Sequence, residues 1–585
     1  MSRGPARRPV PPPWQRVPGG NYEDPTELMS PFDQPTVILE PVTVEYRTEL
    51  VEQARPKGPS LLRSSSMMAV ANLASRVTGF LRQIALAAVL SFGLVNSSYT
   101  IANTLPNIVY EFLIGGVLTS VMIPLLVRAQ AEDPDGGEAY TRRLVTMAGA
   151  ALLVATVLAM LAAGPLVGLA TGSQTTDSSN PELTKAFAVL LLPEIFFYGI
   201  GALLGAILNS KGRFTAFAWA PVLNNVVMLA VLVVYALVPG EISLDPVRMG
   251  DTKLLVLGIG TTLGIAVQAL VLLPAIRRAG VSLKPLWGWD RRLTSAGGLA
   301  LWVVAYVAVG AVGTFLTARI ATGAAGGAYA IYSNAWLLLQ VPYGVLGVSL
   351  LTALMPRMSR AAAENRFDDV IADLSLGSRL STVFLVPISA LLTFFGPEVG
   401  LALFSLGAGN AGGGAAKLGT ALAWSAFGLL PYAVTLLQLR VFYAMTDSRT
   451  PTFIMVAIVA VKIPMLLLCP VLLPPDDVVL GLVAANSLSF VVGAVLGQVV
   501  IARRLGHVRT REVASTLWRT VLASVVGGGV AWLVCLAVER WVGASAGGAW
   551  LVLVVAVLVA APVMLLVMKA LKVTELNPLL RRLPF

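Results

Sequence analysis

Charge, histidine and cysteine are all scarce in this chain. Only 12% of its 585 residues are Asp, Glu, Lys or Arg, and it holds a single histidine, His507, and two cysteines, Cys469 and Cys535. A lone histidine argues against a histidine-based metal centre or catalytic triad. The sequence also has no CxxC, HExxH, GxSxG or Gly-Lys-Ser/Thr pattern that would point to zinc, acyl-transfer or nucleotide chemistry. No metal or cofactor is expected, and an enzymatic role is disfavoured. Both cysteines fall within apolar runs, where free thiols are ordinary, so no disulfide framework is expected. Before Leu61 there is no basic, apolar and small-residue succession of the kind a signal peptide needs.

What the chain has in abundance is apolar sequence: 56% of residues, with a mean hydropathy of +0.78. A bilayer core is crossed by about 20 predominantly apolar residues. Runs near that length occur at 64–90, 97–127, 144–170, 184–209, 216–239, 254–276, 294–317, 325–356, 378–395, 418–444, 451–472, 478–502, 515–537 and 549–568, the ninth being short. The expected fold is therefore an all-α polytopic membrane protein of about fourteen transmembrane helices. Residues 1–63, rich in proline and arginine at their start, read as a disordered cytoplasmic tail. That tail is either an unstructured spacer or a partner-binding arm.

Positive residues collect on the cytoplasmic side of membrane proteins. With the N-terminus inside, most of the 42 Lys and Arg fall in cytoplasmic segments, among them Arg142, Arg143, Arg277, Arg278, Arg503 and Arg504. An even number of spans with both ends inside fits that asymmetry. The net charge of +11 is then mainly a topology signal. Because the basic residues are dispersed among short loops, no nucleic-acid partner is expected.

The two halves of the chain repeat. Ile123-Pro124 through Arg128 corresponds to Met355-Pro356 through Arg360, an offset of 232, and Leu192-Pro193 with Lys211-Gly-Arg213 corresponds to Leu430-Pro431 with Asp447-Ser-Arg449. The second and fourth spans thus map onto the eighth and tenth. Six is an even number, so the repeats share orientation and are expected to be related by a pseudo-twofold along the membrane normal. The implied organisation is a first lobe of six helices (64–276), an inter-lobe linker (277–293), a second lobe of six (294–502), two C-terminal helices (503–568) and a cytoplasmic tail (569–585). Paired lobes favour alternating access over a purely structural role.

The costly feature of the first span is a pair of arginines, Arg76 and Arg82. An arginine near the bilayer centre costs roughly 2.5–3.5 kcal/mol, so such residues usually face water or an anion. Guanidinium offers fixed bidentate donors suited to phosphate oxygens. Separated by six residues, the two side chains stand about 120° apart around the helix and ~9 Å apart along it. Gly79 between them permits bending or close packing. The alternative is structural, with Arg82 snorkelling outward or Arg76 neutralised by Glu111. Glu111 and Glu194 are candidate proton or cation sites, or counter-ions, and Lys462 is a candidate second cationic contact. Asn103, Asn107, Asn334 and Gln340 either bridge helices or contact ligand. Pro106 and Pro342 are expected to kink their spans.

The segments Ser75-Arg76-Val-Thr-Gly-Phe-Leu-Arg82, Leu105-Pro106-Asn107, Ile195-Phe-Phe-Tyr-Gly199, Arg213-Phe214, Pro221-Val-Leu-Asn-Asn225, Gly344-Val-Leu-Gly-Val348 and Val441-Phe-Tyr-Ala444 resemble the MurJ (MviN) family, over about residues 64–505. That resemblance implies a fourteen-span member of the MOP exporter superfamily, of actinobacterial type, in the bacterial plasma membrane. Its implied activity is to flip lipid II, the undecaprenyl-diphosphate-linked peptidoglycan precursor, from the inner to the outer leaflet for cell-wall synthesis. Arg76, Arg82, Asn103, Asn107, Tyr110, Glu111 and Gln340 would then contact substrate, with Glu194 and Lys462 as coupling or cavity charges and membrane lipids as the surroundings. The chain departs from the family pattern at Ser97, Tyr110, Glu111 and Leu337, where acidic or basic residues are common. The cavity is therefore expected to be less cationic. Export of another polyprenyl-linked glycan or an amphiphile is the alternative, and a non-transporting cell-wall scaffold, its tail an arm for cell-wall synthesis proteins, is a third reading.

Overall fold

The computed structural model describes residues 60–112, 122–172, 180–290, 292, 297–445, 447–506, 508–542 and 545–576. The expected disordered tail, except for its last few residues, and His507 lie outside the described residues, as does the end of the C-terminal tail. Residues from Arg63 onward form one unit, and its described residues contain helices and no strands.

Helices follow the apolar runs because a backbone in lipid must satisfy its own N–H and C=O groups. The first half comprises α1 (Ser60–Leu90), α2 (Leu94–Phe112), α3 (Ile123–Glu132), α4 (Glu138–Leu161), α5 (Ala163–Thr171), α6 (Pro181–Leu191), α7 (Glu194–Ser210), α8 (Thr215–Leu237), α9 (Thr252–Leu270) and α10 (Leu272–Arg278). The second half comprises α11 (Gly297–Ala324), α12 (Ala328–Ala363), α13 (Phe367–Phe394), α14 (Gly396–Phe404), α15 (Gly414–Ser425), α16 (Leu429–Ala444), α17 (Arg449–Leu472) and α18 (Val478–Leu505). Two further helices, α19 (Thr510–Val542) and α20 (Ala546–Ala570), pair with each other and lie on α13 and α14.

Among the described residues, twelve helical segments are long and apolar enough to cross a membrane. Neither α2 nor α12 is among them; their described parts carry Asn96, Thr100, Asn103 and Asn107 on one and Ser333, Asn334 and Gln340 on the other. With α2 and α12 added, the described helices are roughly consistent with the expected count of about fourteen. The ninth expected crossing is longer than its apolar run suggested. It spans Phe367–Phe394, and its polar beginning holds Asp373, whose carboxylate pairs with Arg357 at 2.8 Å. The apolar run stops short because a paired aspartate occupies the helix, not because the helix does.

The duplication is visible in where helices break. α4 ends at Leu161 and continues as the nine-residue α5; α13 ends at Phe394 and continues as the nine-residue α14. The α6–α7 break at Leu192 and Pro193 has its counterpart at Ala426–Gly428 between α15 and α16. By contrast, α2 and α12 continue as helix through Pro106 and Pro342. Neither proline ends its helix.

The halves meet at the end of the bundle where α1 turns into α2. There the rings of Phe92 and Phe404 lie 5.8 Å apart, the Ala330 amide donates to Ser97 Oγ at 3.2 Å, and Arg319 and Thr322 donate to the Gly168 and Ala170 carbonyls. Gly327 sits at φ +88, and a Cβ there would come within 1.8 Å of the Phe92 carbonyl oxygen. Only glycine permits that approach. At the opposite end, among the described residues, no hydrogen bond or ion pair joins α1–α10 to α11–α18.

Candidate substrate cavity

Between the halves lies a cavity of about 960 Å³, closed at the latched end and walled by α1 and α2 on one side and α11, α12, α17 and α18 on the other. Each wall is built differently. On the first, α1 lies against α8, where Asn225 donates to the Ser75 carbonyl and to Thr78 Oγ1, both at 3.1 Å. Gly79 serves this packing, since a Cβ would stand 3.3 Å from Asn225 Nδ2. The arrangement fixes the rotation of α1 and turns Arg76 and Arg82 into the cavity.

Arg76 is exposed and its guanidinium reaches across to α12, where only the absence of a side chain at Gly344 leaves it room. Arg82 is half-buried one and a half turns on. Among the described residues neither arginine makes a hydrogen bond or ion pair, and Arg76 is not paired with Glu111. The separation expected from the helix therefore leaves two independent donors facing open space.

Asn107, Tyr110 and Glu111 line the same wall from α2. Tyr110 packs on Tyr198 with ring centroids 4.4 Å apart, and the Tyr198 hydroxyl donates to Asn107 Oδ1 at 3.1 Å. Two residues stand off the wall. Asn103 is on α2 but does not line the cavity, and Glu194 lies behind it, fully buried at the start of α7.

The second wall is aromatic and amide-rich. Trp336 stacks on Phe490 at 5.4 Å with planes 9° apart, Tyr432 meets both rings edge-on, and Tyr343 meets Tyr432 edge-on. Gln340, placed in the cavity as expected, accepts from the Tyr432 hydroxyl at 3.1 Å. Lys462 is buried and donates to Asn486 Oδ1 at 2.8 Å and to the Tyr332 hydroxyl at 3.3 Å. Sequence reasoning missed Trp336, Phe490 and Asn486 because isolated aromatics and amides in apolar helices carry no periodic signal. The halves touch across the cavity where Gln83 donates to Asn334 Oδ1 at 3.2 Å and where Thr104 meets the Tyr329 hydroxyl at 3.3 Å.

A two-lobed helical bundle with a polar central cavity admits many transporters, and comparison with known proteins narrows the choice. The family model described as "Lipid II flippase MurJ" matches residues 86–547. The chain belongs to that family. A relative from Burkholderia cenocepacia named "Lipid II flippase MurJ" is 26% identical over 410 residues, 69% of this chain and 77% of the relative. One from Haemophilus influenzae, named "Probable lipid II flippase MurJ", is 25% identical over 484 residues, 80% of this chain and 92% of the relative. Among solved structures, a lipid II flippase MurJ in an inward closed conformation shares the fold with TM-score 0.68 at 15% identity, over 88% of this chain and 99% of that one. An inward-facing multidrug resistance MATE family transporter of the MOP superfamily shares it with TM-score 0.59 at 14% identity, over 74% and 98%. The chain is thus a multi-pass membrane protein with the MOP transporter fold, in the family its motifs suggested.

Outside the bundle the inter-lobe linker is strapped to the first half. Arg292 makes paired bonds to Asp133, at 2.9 and 3.0 Å, and bonds to Asp290 as well, with its guanidinium over the Tyr140 ring. Arg142 donates to the Lys284 carbonyl at 3.0 Å and the Leu286 amide donates to Thr146. The Arg292 guanidinium holds the Asp290 carboxyl below the usual carboxylate range.

Proposed function

We propose that this chain moves lipid II from the inner to the outer leaflet of the bacterial plasma membrane by alternating access, as a transporter and not an enzyme. The observation that carries the reading is the pair of unpartnered guanidiniums, Arg76 and Arg82, facing a cavity latched at one end. A diphosphate is the group that such donors match. Asn107, Tyr110, Glu111 and Gln340 surround the same space and are proposed head-group contacts, with Lys462 a more distant cation. Asn103 has no place in that contact set, since it stands off the wall.

The distribution of Lys and Arg supports both termini being cytoplasmic. In that topology the latch is periplasmic, and the cavity receives substrate from the inner leaflet. Residues 64–276 and 294–502 would be the rocking lobes, 277–293 their linker and 503–568 an added helical pair, flanked by cytoplasmic tails at 1–63 and 569–585. The test is transport of fluorescent lipid II in proteoliposomes carrying the full chain, with another polyprenyl-linked glycan as competitor. Movement of lipid II that depends on Arg82 is the expected result. Movement of the competitor alone, or no movement of lipid II under any ion gradient or membrane potential, overturns the reading.

A further inference from the structure

Behind the charged wall the first half holds a carboxyl group that the proposed binding site does not use. Glu194 is 0% exposed and neither carboxyl oxygen has a hydrogen-bond partner. The Thr262 hydroxyl on α9 is committed to the Leu190 carbonyl at 2.6 Å. An ionised carboxylate stripped of water and of donors is costly, so the group is either protonated or held by a nearby cation. Among the described residues, the cation acting on it is Arg82 of α1, which also acts on Tyr99 of α2 and on Tyr198, one turn along α7. Thr261 of α9 is engaged with the Tyr99 hydroxyl at 3.2 Å. Among the described residues, α3, α4 and α10, which also pack on α7, bring no charged group to Glu194. Arg82 thus lines the open cavity and is also the cation whose charge acts on the buried carboxyl behind that wall.

We propose that Glu194 is a proton-binding site that competes with the anionic substrate for Arg82. Protonated, Glu194 makes no claim on the guanidinium, and Arg82 is free to hold a diphosphate. When the proton leaves, the carboxylate draws Arg82 back toward α7 and the diphosphate loses a partner. Tyr198, one turn from Glu194 on α7, donates to Asn107, which lines the cavity. Glu194 also opens α7 directly after the Leu192–Pro193 break, so a change in its pairing falls at a joint between helical segments. The substrate half of this inference rests on the lipid II reading, whereas the proton site stands without it.

Two measurements on the full chain in nanodiscs test the proposal. The first is infrared spectroscopy across a pH series. A protonated-carboxyl band that titrates away as pH rises is expected in the wild type and in Glu111→Gln, and is expected to be missing in Glu194→Gln. The second is lipid II binding against pH. Wild-type affinity should weaken on raising pH by about tenfold, within the span of a single coupling between sites, while Glu194→Gln should bind at the tight level throughout. A wild type without the band, or a Glu194→Gln variant that keeps the wild-type pH dependence, overturns the proposal. The wild-type band series needs no variant, so a misfolded Glu194→Gln does not remove the test. A titrating Glu194 in a protein that binds no lipid II at any pH would uphold the proton site and reject the substrate reading.

Discussion

The two walls of the cavity come from the two halves of one duplicated frame, yet they do different chemistry. The α1–α2 wall is built to present charge: Arg76 and Arg82 are held without partners, with Glu111 beside them and Glu194 behind. The α12–α17–α18 wall is built to be complete. Its rings stack on each other, Gln340 and Tyr432 satisfy one another, and its cation, Lys462, is already bonded to Asn486 and Tyr332. Duplication fixed the helix order and the matching breaks, while substitution divided the work. Unsatisfied polar groups are the ones free to bind something else, and fully satisfied networks mainly stiffen and shape a site.

Four changes break or sharpen this contrast, in decreasing order of expected effect. Gly327→Ala attacks the latch on which both walls depend. It forces a side chain into left-handed backbone and against the Phe92 carbonyl, at a cost of about 3–4 kcal/mol to the latched state. Spin labels at the exposed Leu169 and Leu406, on opposite halves near the latch, should move apart, and an unchanged distance would refute the role of Gly327. Trp336→Ala removes a stacked ring from the satisfied wall and should destabilise the fold by about 3 kcal/mol, seen as earlier thermal unfolding in detergent. Arg82→Ala removes a partnerless donor and should show the reverse profile. Normal unfolding is expected with a loss of about 1.5–3 kcal/mol in lipid II binding, roughly ten- to hundredfold. Equal losses of stability in the two variants would erase the distinction between walls. Arg292→Ala acts outside both and should release the linker, costing about 1–2 kcal/mol and exposing residues 279–290 to limited proteolysis. The same protection should depend on pH. Asp290 has a depressed folded-state pKa, so its contribution is present above the unfolded value of about 3.9 and is lost as pH falls below it.

Much of this was legible without coordinates. Apolar runs gave the crossings because lipid accepts only helices whose backbones are internally bonded. Two of them, α2 and α12, were read as the runs 97–127 and 325–356 although asparagines, serines and glutamines lower their hydropathy. Those polar residues are the reason these helices line the cavity. The arginines of α1 were conspicuous for the same cause, an energetic penalty that sequence exposes directly. The ninth crossing was misjudged in length because Asp373 looks like a boundary until Arg357 is seen beside it.

The sequence by itself determined the class of fold, the repeat, the family and the cost of Arg76 and Arg82, because hydropathy, periodicity and charge in lipid are local properties of the chain. Only the tertiary structure decided which polar side chains share a space. It moved Asn103 and Glu194 off the cavity wall, placed Gly79 against Asn225 and Gly344 beneath Arg76, and gathered Trp336, Tyr432 and Phe490 from three helices. Those relations depend on the rotation of each helix about its axis. That rotation is set by packing between residues as much as 268 positions apart, as for Arg76 and Gly344, which no local pattern records.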